Sequence, residues 1–287
     1  MSCDKRDDLK RTAILLLVLS SGCARFAVNR VGDALAGGGT TFAGDNDPDL
    51  IRQAVPFGLK MQESLLAKSP RHRGLLLATA SGFTQYAFAF VQQDADELEG
   101  KDLAAATALR ARARKLYLRA RDYGLRGLAG HAAGKSDVPF LYWMAAAWGS
   151  AIAISKDQPD VVADVPKVES LIEKALALDE SYEHGAIHGF LISYEMARPG
   201  LKPEEAETRA RNHFDRAMEL SEGKLAAPLV AYAEAVCVQK QQRAEFEKLL
   251  NQALAIDADQ MPETRLANLV MQRRARWLLS RMDELFS

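Results

Sequence analysis

Several things are scarce in this 287-residue chain, and each scarcity excludes something. It holds three cysteines, Cys3, Cys23 and Cys237. With Cys23 modified and the leader removed, only Cys237 remains, so the mature fold must be held by packing and not by disulfides. Cys237 lies in the apolar run Ala235-Val236-Cys237-Val238, the setting of a buried inert thiol. Continuous Val/Ile/Thr runs are rare, which leaves little material for strands. There is no G-x-G-x-x-G, no P-loop, no C-x-x-C pair and no G-x-S-x-G elbow. The five histidines do not form an H-E-x-x-H pair. Net charge is -1, with basic and acidic residues interleaved, so no phosphate-tracking surface is expected and nucleic acid is not an expected partner.

What is present is helix-forming: Leu, Ala, Arg, Glu and Lys dominate, with 48% hydrophobic and 26% charged residues. The fold class expected is all-α. The first 22 residues are an exception. Lys5, Arg6, Lys10 and Arg11 precede the short apolar run Ala13 to Leu19, and Ser20-Ser21-Gly22 leads to Cys23. A basic start, an apolar stretch well below the ~20 residues of a spanning helix, and small residues before a cysteine form an export leader whose Cys23 accepts acyl chains. The same residues also admit a leader cleaved without acylation, or an N-terminal core helix. The expected organisation is a signal peptide over 1–22, a lipidated segment with a Gly37-Gly38-Gly39 joint over 23–44, and a helical domain over 45–287. Ala24 after the cysteine, with no Asp there, suits a periplasmic, outer-membrane address.

Proline and acidic residues punctuate the domain. Asp47-Pro48, Asp164-Val165-Pro166, Pro203-Glu204-Glu205, Pro228 and Pro262-Glu263 mark helix starts, because proline costs nothing in a first turn and carboxylates favour the positive helix end. The punctuation predicts helices near 48–68, 74–92, 102–121, 138–155, 165–178, 184–197, 203–220, 226–238, 242–256 and 262–285, with Pro56 kinking or dividing the first. Short joints between long amphipathic segments predict stacked antiparallel hairpins.

Three segments share a pattern centred on Ala175, Ala217 and Ala253, 42 and 36 residues apart. A fainter copy surrounds Leu65. An alanine flanked by large aliphatics marks a seam where a neighbouring backbone comes close. The spacing is near the tetratricopeptide period of about 34, so degenerate tetratricopeptide-like repeats are expected, against unrelated helices that end alike.

The search for chemistry yields few candidates. His184 and His188 lie four apart and would share a helix face. The competing readings are a metal pair, or one capping histidine and one hydrogen-bonded seam histidine, and the latter is preferred. Catalytic residues, metals and cofactors are not expected. Aromatics crowd two helices. Tyr86 and Phe90 in one, Tyr142, Trp143 and Trp148 in another, with His188, are the candidate ligand or partner surface, against ordinary core packing. Arg110, Arg112, Arg114, Lys115, Arg119 and Arg121 read either as a solvated face or as an anion-facing patch.

Some segments point to a family. Ser21 to Arg30, Ser81-Gly82-Phe83-Thr84-Gln85-Tyr86-Ala87, Arg121-Asp122-Tyr123-Gly124-Leu125-Arg126-Gly127-Leu128 and Arg265 to Leu279 resemble the T component of tripartite ATP-independent periplasmic (TRAP) transport systems. Val138 to Trp143 and Gly185-Ala186-Ile187-His188 fit as well. The resemblance implies a periplasmic lipoprotein that associates with a solute-binding P component, oligomerises, and handles an apolar small molecule without catalysis. The segment after His131 is shorter than the family's usual one. On the residues alone, a transport accessory and an envelope scaffold with no small-molecule role both remain open.

Overall fold

The computed structural model describes residues 39–130, 132–155 and 162–286, with Arg30, Gly32, Asp33 and Gly37. Cys23 and the expected leader lie outside these residues. Among the described residues every regular element is helical and no strand occurs.

The helices are α1 Gly39–Ala43, α2 Pro48–Lys68, α3 Arg73–Leu98, α4 Leu103–Leu128, α5 Val138–Ala153, α6 Val165–Leu178, α7 Tyr182–Ala197, α8 Pro203–Leu220, α9 Ala226–Cys237, α10 Arg243–Ala255, α11 Arg265–Ser280 and α12 Met282–Leu285. The punctuation explains the starts: the Asp47 carboxylate accepts the amides of Asp49 and Leu50, and Pro48, Pro166 and Pro203 sit in first turns. Pro56 lies within an undivided α2.

Some boundaries differ from expectation for identifiable reasons. α3 runs to Leu98 instead of 92, because a π-helical segment at Ala87–Gln92 carries the chain into a further α-helical stretch, Gln93–Leu98. α4 continues to Leu128 instead of stopping near 121. Its glycines are contact points and not breakers: a Cβ on Gly127 would lie 2.0 Å from the Phe140 ring, and one on Gly124 3.3 Å from Met144. α7 opens with Glu183, His184 and Gly185 at φ of 45°, 55° and 88°. Gly185 is needed there, since a Cβ would meet Leu220 at 3.1 Å and the Ala217 backbone at 3.4 Å. Part of the expected glycine joint is ordered too. α1 packs against α11, and the Arg265 guanidinium donates to the Gly44 carbonyl at 2.7 Å.

Packing follows a simple rule. The odd-numbered helices contact one another in succession, α3 with α5, α5 with α7, α7 with α9, and α9 with α11. Each intervening even helix leans on the odd helices that flank it. Ala175, Ala217 and Ala253, on α6, α8 and α10, are fully buried, while Leu65 on α2 is half-buried. The succession closes on itself, because α11 also touches α2, and its Leu266 and Val270 pack with Ile51, Ala89 and Phe90. The stack of helices is therefore closed into a ring.

α3 is long and apolar enough to cross a bilayer, yet 56% of its most apolar stretch is buried among neighbouring helices, as befits a core helix.

Candidate functional site

A pocket of about 620 Å³, open to solvent, lies where α3, α4, α5, α9, α11 and α12 converge. One wall is apolar, with Ile154, Val238, Leu278, Leu285 and Trp277. The other is charged: Arg110, Arg274 and Arg281 face Asp96, Glu99 and Glu234. Two π-helical segments reach it, since Gln92 ends the first and Glu234 belongs to the second, Ala233–Cys237. A π turn admits one residue more than an α turn, which re-aims the side chains beyond it, and such turns recur at functional sites.

Arg274 organises the charged wall. Its Nε and Nη2 grip both oxygens of Glu234, and its Nη1 donates to Gln93 Oε1 at 2.7 Å and Asp96 Oδ2 at 3.1 Å. The side chain is 8% exposed. The neighbouring Arg273 pairs with Asp94 at 2.9 Å and Glu97 at 2.8 Å, and Arg52 of α2 holds the other side of Asp94. Arg110 of α4 reaches Glu99 at 2.9 Å and Asp96 at 3.4 Å. Helices from both ends of the chain thus meet through guanidinium–carboxylate contacts, the strong class of hydrogen bond.

Two carboxylates on one helix respond oppositely. Burial pushes Asp96 above the usual carboxylate range despite Arg274. Asp94 is also penalised by burial, but the hydrogen bonds from Arg52 and Arg273 outweigh it and hold its carboxyl below that range.

None of Tyr86, Phe90, Tyr142, Trp143, Trp148 or His188 lines this cavity. Phe90 and Trp148 are buried in the core, where the Trp148 ring lies between Arg121 at 5.0 Å and Lys167 at 5.5 Å, and its buried Nε1 has no hydrogen-bond partner. Tyr142, half-buried, contacts the rings of Trp143 and Tyr182 at 5.0 and 5.4 Å, and Tyr86 meets Phe90 at 5.6 Å. His188 is buried in the α7–α8 seam, where its Nδ1 lies 2.9 Å from that of His213 and its Nε2 lies 3.5 Å from Glu180. Burial, with His188 and Arg209 nearby, pushes His213 down to about 4, and burial also lowers His188. His184, in its left-handed turn, does not share a regular helical face with His188.

Sequence reasoning missed Arg274, Trp277, Glu234 and His213. Arg274 and Trp277 figured only in the segment Arg265 to Leu279 that carries the family resemblance. The available signal was Gln93-Asp94-Ala95-Asp96-Glu97, an acidic cluster around an alanine that proves fully buried.

Among the described residues, no group of three or more His, Cys, Asp or Glu side chains is placed to hold a metal ion. The cavity's carboxylates are engaged by guanidiniums, and no nucleophile stands beside a base within it. The class is an all-helical protein with an open, partly charged pocket. The chain matches the TRAP transporter T-component family over residues 44–286 and belongs to it. It is also 32% identical over 269 residues to an uncharacterized protein of Treponema pallidum (strain Nichols), covering 85% of this chain and 82% of that one. Membership in this family makes the chain a transport accessory and not an enzyme.

Proposed function

We propose that the chain is a periplasmic lipoprotein that docks a TRAP solute-binding P component and lets a small, largely apolar molecule occupy the ring. The observation that carries this reading is the ring itself, which spans the family-matched residues and carries an open pocket lined in part by Trp277, Leu278, Ile154 and Val238. The domain would begin near residue 45, after a signal peptide over 1–22 and a tether over 23–44 that is acylated at Cys23 and anchored in the outer membrane. The alternation of odd and even helices, with Ala175, Ala217 and Ala253 at contacts between pairs, supports antiparallel tetratricopeptide-like hairpins. Copies of the chain assemble as a homo-oligomer. The surface formed by Tyr142, Trp143 and Tyr86, which keep partial exposure, is offered to a partner.

A second reading has an observation in its favour. The cavity's charged side chains are mostly paired with one another, and Phe90 and Trp148 are spent on packing, which suits an envelope scaffold with no small-molecule role. Affinity capture from native envelope extract separates the two. The transport reading expects a solute-binding protein, and repeated recovery of unrelated assembly proteins without one defeats it. For the tether, Cys23→Ser should move the protein to the soluble periplasmic fraction, and unchanged membrane fractionation would refute acylation.

A further inference from the structure

The outer face of α2 carries an apolar ridge that stays exposed among the described residues. Leu50, Phe57 and Met61 are 53%, 73% and 41% exposed. At 100° per residue they fall within about 40° of one another, opposite the buried Ile51, Leu59 and Leu66, and exposed Lys68 lies in line with them. Beside α2 runs α4, whose Arg112, Lys115, Arg119 and Arg126 fall within about 60° on its own axis. The two helices adjoin: Arg119 pairs with Glu63 of α2 at 2.5 Å, Tyr123 donates to Glu63 at 2.8 Å, and Arg126 donates to the Pro70 carbonyl at 2.9 Å. Arg112 and Lys115 are exposed, and among the described residues neither has a carboxylate within ion-pair distance. An apolar ridge and two exposed cations without a carboxylate partner, Arg112 and Lys115, thus lie on adjoining helices, while Arg119 of the same stripe is neutralised by Glu63.

From this juxtaposition we infer that the α2–α4 face seats on an anionic lipid bilayer, with Phe57, Leu50 and Met61 entering the interface and Arg112 and Lys115 meeting lipid phosphates. The occupant follows from area and charge. The three apolar side chains expose on the order of 300 Å², well short of the ~800 Å² per partner that a stable protein interface needs. A peripheral membrane contact needs only an apolar stripe with cations beside it, and it reinforces a single lipid anchor. The inference rests on the acyl tether at Cys23 for its setting: α1 begins 16 residues later, so the body stays within about 55 Å of the bilayer at full extension.

The test is made without the lipid, so that it is independent of the tether. The chain expressed from residue 24 retains every described element, and its co-sedimentation is measured with vesicles containing phosphatidylglycerol and with vesicles of phosphatidylcholine alone. Binding is expected on the anionic vesicles and is weakened by salt. Phe57→Asp should reduce it about tenfold, and Arg112→Gln with Lys115→Gln about fivefold for each cation removed. Circular dichroism should be unchanged, because these side chains are exposed. Equal binding to both vesicle types, no binding to either, or variants that bind like the parent would overturn the inference. So would a loss of assembled mass in Phe57→Asp with vesicle binding intact, which would make the ridge a protein interface. Failure of acylation would appear only in the fractionation of Cys23→Ser and would leave the vesicle result standing.

Discussion

The contacts between consecutive helices and the contact that closes the ring differ in material, because the closure adds buried charge to an apolar patch. Along the stack, Ala175, Ala217 and Ala253 are fully buried, and at Ala217 the neighbouring helix arrives as bare backbone, Gly185 in its left-handed turn. At the closure, α11 packs Leu266 and Val270 against Ile51 of α2 and meets α3 through Arg273 and Arg274 against Asp94, Asp96 and Glu97, with Arg52 of α2 sharing Asp94 and Glu234 of α9 sharing Arg274. Each stacked pair follows its neighbour in sequence, so small size and close approach are enough to define the fit. The first and last helices have no such neighbour. Their contact must be selected from many alternatives, and buried charges that are satisfied in only one arrangement make that selection, at a cost in desolvation that alanine never incurs.

The largest break in that contrast should come from Arg274→Ala. Removing the guanidinium strands Glu234 and Asp96 beside each other, and the cost should be about 3–5 kcal/mol in urea unfolding. Arg274→Met, which refills the space with apolar atoms, should also lose stability, because the carboxylates stay behind. A loss below ~1 kcal/mol for Arg274→Ala would show that the closure does not depend on this pairing. Ala217→Leu tests the other material. Its added carbons must displace Gly185 or Leu220, for an expected loss of about 1–3 kcal/mol, read by the same unfolding experiment. If leucine were tolerated there, the alanine would not mark a close approach.

The two kinds of contact differed in how readable they were. The ranges of α6 and α8 match the punctuation residue for residue, because Pro166 and Pro203 open them and a buried alanine heads each closing apolar group. The closure was illegible, since an arginine buried against distant acids looks the same in sequence as one in water. Gln93 to Glu97 looked like a polar joint, and only the π turn before it brings those side chains inward. Gly124 and Gly127 fell beyond the expected end near 121, because their role as landing places for Met144 and Phe140 belongs to another helix. The candidate aromatics lie away from the pocket, and spacing alone did not show that it would take Trp277 in their place.

Acid sharpens the contrast with a smaller effect. His213, in the α7–α8 seam, is held to about 4 by burial, whereas the unfolded chain binds its proton near 6.5. The unfolded state therefore takes up a proton first. The seam's contribution is complete above about pH 6.5 and drains away as pH falls toward 4. Asp96 at the closure has the opposite sign: its raised value means that protonation favours the fold as pH descends into the carboxylate range. Stability measured against pH should fall through the histidine window, and His213→Gln should flatten that fall while leaving the carboxylate region unchanged. A variant whose curve overlays the parent's would place the pH dependence elsewhere.

Arg216 should give the smallest effect, and it is the control for the first prediction. Like Arg274 it is an arginine bound to two carboxylates, Glu180 and Glu219, and like Arg274 it joins separate elements, α8 and the turn before α7. It differs in lying at the surface, with 34% of its side chain exposed, where water can replace either partner. Ion pairs of that kind contribute little, because their charges were never withdrawn from solvent. Arg216→Gln should leave the urea midpoint where it is, at low and high salt alike. If it instead lowered the midpoint as much as Arg274→Ala, the number of paired carboxylates would matter and burial would not, and the distinction between the closure and the stack would lose its physical basis.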